Sequence, residues 1–180
     1  MFIDLIKKRR SVRSYSDKPI ARETLQAIVD AVFHAPTAKN LNDVELFIVE
    51  GKEKLEELST FRKNYAGHIA RGQAAIAVLS DTEASPGNNR QDACIAATYI
   101  LLQAADLGLG ACWTNVNSAF DENDQPATIK LHKILGVPDK YNIETVISLG
   151  YPLNEPKPKV PRDMEGKVHW GKMEQAEVPR

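Results

Sequence analysis

The 180-residue chain lacks several features that would assign a protein to a class at once. It has only two cysteines, and Cys94 and Cys112 form neither a CxxC pair nor a metal-ligand spacing, so neither a disulfide scaffold nor a zinc site is indicated. Its formal net charge is −1, whereas nucleic-acid-binding domains are usually strongly basic. No apolar run approaches the roughly 18 residues of a membrane span. We therefore expect neither a nucleic-acid partner nor a membrane partner.

The chain also lacks the sequence motifs of several large enzyme classes. Gly-x-Ser-x-Gly, His-Glu-x-x-His and the phosphate-binding loop are all absent. The four histidines are scattered, and none lies four residues from another. We therefore predict no metal site and no essential catalytic side chain. The first ten residues show no apolar core followed by a cleavage site, and both cysteines lie in apolar surroundings, so we expect a reducing, cytoplasmic location.

What the chain does have is the material for one domain. Its hydrophobic fraction of 43% is enough for a core, and its length suits a single domain. Hydrophobic periodicity predicts about four strands among five or six helices, hence an α+β domain over a doubly wound sheet. The predicted strands are 44–50, 74–79, 111–116 and 143–149, and the longer helices are 25–33, 88–109 and 126–135.

A cluster of arginines follows the first predicted helix. Arg9, Arg10 and Arg13 stand with Ser11 and Ser14 in the segment RRSVRSYSDK, residues 9–18. Such a cluster can be a solvated helix end, where cations complement the helix dipole. It can equally form an anion pocket, because guanidinium forks match phosphate oxygens and serine adds a donor. The local sequence leaves both interpretations open.

The helix predicted over 88–109 is apolar on most faces and is followed by GLGACW, residues 108–113. A helix of this kind must be covered on most sides, and a second subunit could supply part of the cover. GLGACW lacks the third glycine of a dinucleotide fingerprint and follows a helix rather than a strand. We therefore interpret Gly108 as a helix C-cap.

Four segments in order along the chain resemble the FMN-dependent nitroreductase family in its short form. They are RRSVRSY at 9–15, APTAKN at 35–40, GLGACW at 108–113, and the stretch 149–162, which begins LGYP and ends in arginine. The chain departs from the family pattern at Asn42-Asp43-Val44, where Gln-Pro-Trp is frequent, and at Val116, where glycine is frequent.

The resemblance implies a nitroreductase-like α+β fold with a central, mostly antiparallel sheet of about four or five strands flanked by helices. It implies a homodimer with exchanged tails, in which residues 1–151 form a flavin-binding domain. Residues 152–180 would form an extended, proline-rich tail on the same domain or on its partner. Two FMN sites would lie at the subunit interface, with NADH or NADPH as reductant.

The resemblance also implies roles for individual residues. The FMN phosphate and ribityl chain would be held by Arg9, Arg10, Ser11 and Arg13, joined by Arg162 from the tail. The second subunit would line the flavin with Pro36, Thr37, Ala38 and Asn40. Backbone N–H groups of the segment 114–116, which includes Thr114 and Asn115, would face the reactive edge of the ring.

The implied activity is ping-pong transfer from NAD(P)H to a nitroaromatic, a quinone or a similar small electrophile. The absence of catalytic side chains fits such an enzyme, because the cofactor carries the redox chemistry. Two alternatives remain: a flavin-binding carrier or sensor without turnover, and a binder of nucleic acid or phosphoprotein that uses the arginine cluster. Reduction of bound flavin by NADH separates the enzyme from the carrier, and a yellow protein argues against the third.

Overall fold

The computed structural model describes residues 1–157, 160–161 and 163–171. Helices and strands alternate irregularly along the chain, and a short 3-10 turn at Ala38–Asn40 precedes the first strand. The elements are α1 (Phe2–Lys8), α2 (Arg22–Val32), β1 (Val44–Glu50), α3 (Lys52–Leu58), β2 (Ala74–Asp81), α4 (Asn89–Asp106), β3 (Gly110–Asn115), α5 (Ala127–Leu135) and β4 (Tyr141–Gly150).

The strands form one sheet in the order β1-β2-β4-β3, and each neighbouring pair is antiparallel. The four-stranded α+β architecture and the mostly antiparallel sheet implied by the resemblance are confirmed, but the doubly wound sheet expected from periodicity, typical of parallel strands, is wrong. The reason lies in β2, where Ala74–Ser80 is buried at every position. A strand covered on both faces shows no alternation, so its sequence resembles that of a parallel strand whatever its direction.

Two hydrophobic cores lie on the two faces of this sheet. On one face, α3, α5 and the segment around Phe61 and Ile69 cover Ala75, Ala77 and Val146. On the other face, α2 and α4 cover a second set that includes Ile76 and Ile147. The sheet is therefore sandwiched, and β1 and β3 are its edges. The edge at β3 pairs with the arginine-containing segment through Ser11 and Ala111.

Helix α4 packs largely inside its own protomer. Seven of its residues are buried, and Ala97 is fully inaccessible within the core beneath α2. Its own sheet and α2 already cover much of this apolar helix, and cover by a second subunit stays a prediction. The C-cap interpretation is confirmed: Gly108 has φ +76°, and Leu109 N–H donates to Ala104 C=O at 2.8 Å.

The beginning of the predicted tail lies against its own chain. Pro152 forms an isolated antiparallel bridge with Tyr15, and Leu153 N–H donates to Ser14 C=O at 3.1 Å. Arg162, predicted to reach the cofactor from this tail, lies outside the described residues. Within the part of the chain that the structure describes, no helix has both the length and the apolar character needed to cross a bilayer.

Candidate functional site

Residues 9–13, called the arginine strip below, run as an extended segment beside the start of β3. Helix α1 ends at Lys8, and Arg9 turns to an extended conformation with φ −60° and ψ 134°. Ser11 then forms a parallel bridge with Ala111, and Val12 N–H donates to Ala111 C=O at 3.0 Å. This contact needs a glycine at position 110, because a Cβ there would lie 2.6 Å from Val12 Cβ. The strip is thus fixed by backbone contact with the sheet.

A cavity of about 360 Å³ opens beside this strip. Lys8, Arg9 and Arg10 contribute positive charge to its wall, and Glu155 contributes the opposite charge. The apolar part of the wall comes from α4, the turn after it and the tail: Leu101, Ala105, Gly108, Leu109 and Pro156. Arg10 Nη1 donates to Lys157 C=O at 2.8 Å, which holds that guanidinium against the tail. A cationic mouth on an apolar wall suits an amphipathic anion.

The predicted phosphate residues do not all reach this cavity. Arg10 and Val12 line it, whereas Arg13 lies close enough to His68 and Tyr15 for its charge to act on their pKa values. Ser11 and Arg13 are not among the residues that line this cavity. The structure therefore brings Arg9 and Arg10 together, and phosphate contact by Ser11 and Arg13 stays a prediction.

A buried chain of hydrogen bonds connects this strip to the far end of β3. Tyr15 Oη donates to Val12 C=O at 2.6 Å and lies 2.7 Å from Ser148 Oγ. His68 then shares hydrogen bonds with Ser148 Oγ at 2.8 Å and with Thr114 Oγ1 at 3.2 Å. Four side chains from four parts of the sequence are thereby fixed relative to one another. This series of hydrogen bonds links the arginine strip to Thr114, one of the predicted flavin residues.

His68 is neutral in this chain of hydrogen bonds. Its side chain is 4% exposed, and burial, helped by the charges of Arg13 and Arg71, lowers its pKa to about 4. Burial likewise raises the pKa of Tyr15 well above its ordinary value. A neutral imidazole can donate from one nitrogen and accept at the other, which suits its two hydroxyl partners. At neutral pH the interior side of the site therefore carries no charge of its own.

The outer edge of β3 offers unpaired backbone groups beyond the arginine strip. Because Ala111 turns its carbonyl to Val12, strand alternation turns the N–H groups of Trp113 and Asn115 to the same outer edge. Thr114 instead turns its backbone toward β4, where its C=O accepts from Thr145 Oγ1 at 2.9 Å. Of the predicted ring-facing segment, Asn115 therefore has its backbone N–H on the open edge, and Val116, which is fully buried, follows the end of the strand.

Arg62 is a site residue that sequence reasoning missed. Its Nη1 donates to Asn115 C=O at 2.7 Å, and its Nε is buried with no hydrogen-bond partner among the described residues. It therefore places a positive charge at the open end of β3. Arg62 lies in an irregular segment between α3 and β2, where neither periodicity nor a motif signals it, so only the fold could reveal its position.

The predicted ring-lining loop lies against α4. Ala38 N–H donates to both carboxylate oxygens of Asp92 at 3.0 Å, and Asn42 N–H donates to Thr37 Oγ1 at 3.0 Å. Pro36 and Asn40 are exposed, and Asn40 has φ +58°. Among the described residues, the recorded hydrogen bonds tie this loop to α4 and to itself, not to the arginine strip.

Comparison with known proteins gives a consistent result. The sequence profile of the Nitroreductase family matches residues 6–85 and 58–151. The structure of an FMN-dependent nitroreductase from Clostridium difficile R20291 superposes with a TM-score of 0.89 at 38% identity, over 95% of this chain and 99% of that one.

Two sequence relatives add to this picture. A Methanothermobacter thermautotrophicus protein, provisionally named an NADH dehydrogenase/NAD(P)H nitroreductase, is 33% identical over 86% of this chain and 78% of its own. An iodotyrosine deiodinase of Thermotoga neapolitana is 24% identical over 91% of this chain and 94% of its own. The profile match, with the structural and sequence relatives above 30% identity, shows that the chain belongs to the nitroreductase family.

Proposed function

We propose that this protein is an FMN-dependent oxidoreductase that takes electrons from NADH or NADPH. It would pass them to a nitroaromatic, a quinone or a similar small electrophile. The observation that carries the proposal is the cavity beside β3, where Lys8, Arg9 and Arg10 face an apolar wall. Membership of the nitroreductase family supports the same conclusion, as does the FMN-dependent nitroreductase that superposes on most of this chain.

The residues present fit FMN in two respects. A phosphate needs charge-assisted donors, and Arg9 and Arg10 supply them at the cavity mouth. A flavin ring needs donors along one edge, and the open edge of β3 supplies the Asn115 N–H, while Arg62 adds a charge beside it. The buried, unpaired Arg62 Nε is a donor that lacks its acceptor among the described residues.

The proposed site has three parts. Arg9, Arg10, Ser11 and Arg13 hold the phosphate and ribityl end, and Arg162 joins them. The open end of β3 holds one edge of the ring with Asn115, whereas Thr114, predicted for the same role, turns its backbone toward β4. A second subunit supplies Pro36, Thr37, Ala38 and Asn40. This division agrees with the placement of the loop on α4, away from the arginine strip of its own chain.

The mechanism asks little proton chemistry of the protein. Bound FMN supplies the acceptance of hydride from NAD(P)H and its onward transfer. Arg62 and the Asn115 N–H would stabilise negative charge on a flavin ring held at this edge. His68 holds the Thr114 hydroxyl and, through Ser148 and Tyr15, the arginine strip. The neutral state of His68 keeps an uncompensated charge out of that interior.

Assembly into a homodimer is part of the proposal. Helix α1 has no buried residue, and Phe2, Ile3 and Ile6 are 66%, 46% and 41% exposed. An apolar stripe left open in this way favours burial against another chain. Because the two halves of the site lie on different elements, we propose that a second copy completes each flavin site.

The direct test is to identify and then to reduce the chromophore. The purified protein, reconstituted with FMN if necessary, is expected to be yellow, and heat should release FMN, which mass spectrometry identifies. Anaerobic NADH or NADPH should then bleach the bound flavin, and an added quinone or nitroaromatic should restore the colour. A flavin that binds but is not bleached by either nucleotide would instead indicate a carrier or sensor. FAD, or no flavin after reconstitution, would refute the proposal.

A further inference from the structure

Asp43 is the most unusual ionisable group outside the site described so far. Its side chain is 3% exposed, and both carboxylate oxygens are buried with no hydrogen-bond donor among the described residues. It also stands in the Asn42-Asp43-Val44 segment, where this chain departs from the family pattern. An ionised carboxylate in such a place carries a large desolvation cost. A buried carboxyl without donors is therefore expected to keep its proton.

The groups that face Asp43 are acidic. Asp92 on α4 is also 3% exposed, and its carboxylate is close enough to that of Asp43 to raise the pKa of Asp43. Asp81, at the end of β2, lies opposite Asp43 and donates its N–H to Asp43 C=O at 2.8 Å. Lys140 neutralises Asp81 through an ion pair at 2.7 Å, but that ammonium bonds Asp81 and not Asp43. Burial raises the pKa of Asp43, its own backbone N–H opposes this rise, and the charges of Asp92 and Asp81 raise the pKa further.

Asp92 contacts both ends of the ring-lining loop. Both of its oxygens accept the Ala38 N–H at the start of the loop, and the Asp43 carboxyl lies beside it where the loop ends. Between these points, Lys39, Asn40 and Asn42 all have φ between 52° and 58°, a conformation that non-glycine residues adopt at a cost. The loop needs an external restraint to hold this conformation, and Asp92 supplies it.

We propose that Asp43 is a positioning residue that shares one proton with Asp92 and thereby holds the loop 37–42 in its flavin-lining conformation. The Asp43 O–H donates to the Asp92 carboxylate, whose two oxygens also accept the Ala38 N–H and one of which accepts from Ser85 Oγ at 3.5 Å. Loss of the proton leaves two buried carboxylates in contact, with Asp81 close by, and their repulsion releases the loop. The inference rests on the proposed function, because the role of this loop in FMN binding is assigned there.

The consequence is a flavin affinity that depends on the ionisation of the pair. At low pH the shared proton is present and the loop is held. Above the pKa of the pair, the FMN dissociation constant should rise by about tenfold per pH unit, because binding then requires uptake of one proton. Ionisation of the FMN phosphate affects every variant alike. The measured quantity is therefore the difference between each variant and the wild type.

Two substitutions remove one charge from the pair and keep its shape. Asp43→Asn replaces the O–H donor with an amide N–H that needs no proton, so its FMN affinity should equal the wild-type value at low pH and lose the excess pH dependence. Asp92→Asn leaves a single carboxylate in the pair, so its FMN affinity should likewise lose the excess pH dependence. This variant replaces Asp43→Asn in the experiment if Asp43→Asn folds poorly. Asp30→Asn makes the same chemical change at an exposed position of α2 and should retain the wild-type profile.

The Ala38 amide reports on the loop without any flavin. In the purified chain, its hydrogen-exchange protection factor should fall with rising pH in the wild type and in Asp30→Asn, and stay constant in Asp43→Asn. That pattern, found in a protein that binds no FMN, would support the acid pair and refute only the proposed function. Equal pH profiles for wild type and Asp43→Asn, in both flavin affinity and Ala38 protection, would overturn the inference.

Discussion

The close contact between Gly110 and Val12 allows one prediction to be worked out in detail. A Cβ at position 110 would lie 2.6 Å from Val12 Cβ, 2.7 Å from Cγ1 and 3.0 Å from Cγ2. Ordinary carbon contacts are about 3.5–4.0 Å. Rotation of the valine side chain cannot relieve the shortest of these contacts, because Cβ does not move when χ1 turns. In Gly110→Ala the backbone of the arginine strip must therefore shift by about 1 Å.

The expected cost has two components. Overpacking by one methyl group typically costs about 1–3 kcal/mol of folding free energy, and the Val12–Ala111 hydrogen bond, if broken, adds about 0.5–1.5 kcal/mol. The shift also moves Arg9 and Arg10 at the cavity. Loss of one charge-assisted phosphate contact, at about 1.5–3 kcal/mol, weakens FMN binding by about 10- to 150-fold.

Urea unfolding of the flavin-free chain and fluorescence titration with FMN measure the two effects separately. Gly67→Ala is the matched control, since its added Cβ would meet only Arg71 Nη1, at an ordinary 3.7 Å. In a Val12→Gly background, where the clashing side chain is absent, Gly110→Ala should cost less stability and less FMN affinity than it costs in the wild type. If Gly110→Ala matches Gly67→Ala in stability and FMN affinity, the strip is not held by this contact and the reasoning fails.

Further predictions concern charge and assembly. Arg9→Ala should weaken FMN binding by about 10- to 150-fold in a fluorescence titration; Arg22→Ala, an exposed control on α2, should leave it unchanged. Arg62→Leu should lower the flavin midpoint potential measured by dye equilibration, because a positive charge that favours the reduced form is removed. The pKa of His68 is lowered to about 4, so the stability that the neutral side chain confers is present above about pH 6.5 and is lost as the pH falls toward about 4. His68→Gln should therefore make the urea midpoint depend less on pH over that range. An unchanged pH dependence of the midpoint would count against a neutral His68. Sedimentation at nanomolar concentration should show a dimer, and a folded monomer that keeps FMN would refute the shared site.

The secondary structure was largely predictable from the sequence because local patterns specify it. Strand formers at 44–50 and the periodicity of α2 gave elements within a few residues of the observed ones. Local patterns did not reveal the direction of the strands, since a fully buried strand such as β2 has no alternating face; the antiparallel sheet was implied by the family resemblance. The same limit applies to α4: its apolar surface suggested a subunit interface, but Ala97 lies in the protomer core. A charged residue substituted for Ala97 would therefore destabilise the protomer itself, and its effect would give no information on dimerisation.

The site was predictable only where a local motif carries it. The sequence motifs identified the arginine strip and the loop 35–40, but they did not identify the distant residues that contact the site, such as His68 and Arg62. His68 meets Ser148 from a position 80 residues away, and Arg62 meets Asn115 across 53 residues. Contacts of this kind depend on how the strands are ordered in the sheet. The pairing of Asp43 with Asp92 is similarly long-range, and in the sequence Asp43 showed only as a departure from a family pattern.

The measurement that tests the central claim most directly is anaerobic mixing of the FMN-loaded protein with NADH and, separately, with NADPH. The flavin absorbance is followed in time, and a quinone or nitroaromatic is added at the end. We expect at least one nucleotide to bleach the flavin over repeated cycles, with full recovery of the oxidised spectrum after each addition of acceptor. A protein that takes up FMN but keeps the oxidised spectrum with both nucleotides, or that takes up no FMN, would contradict the account.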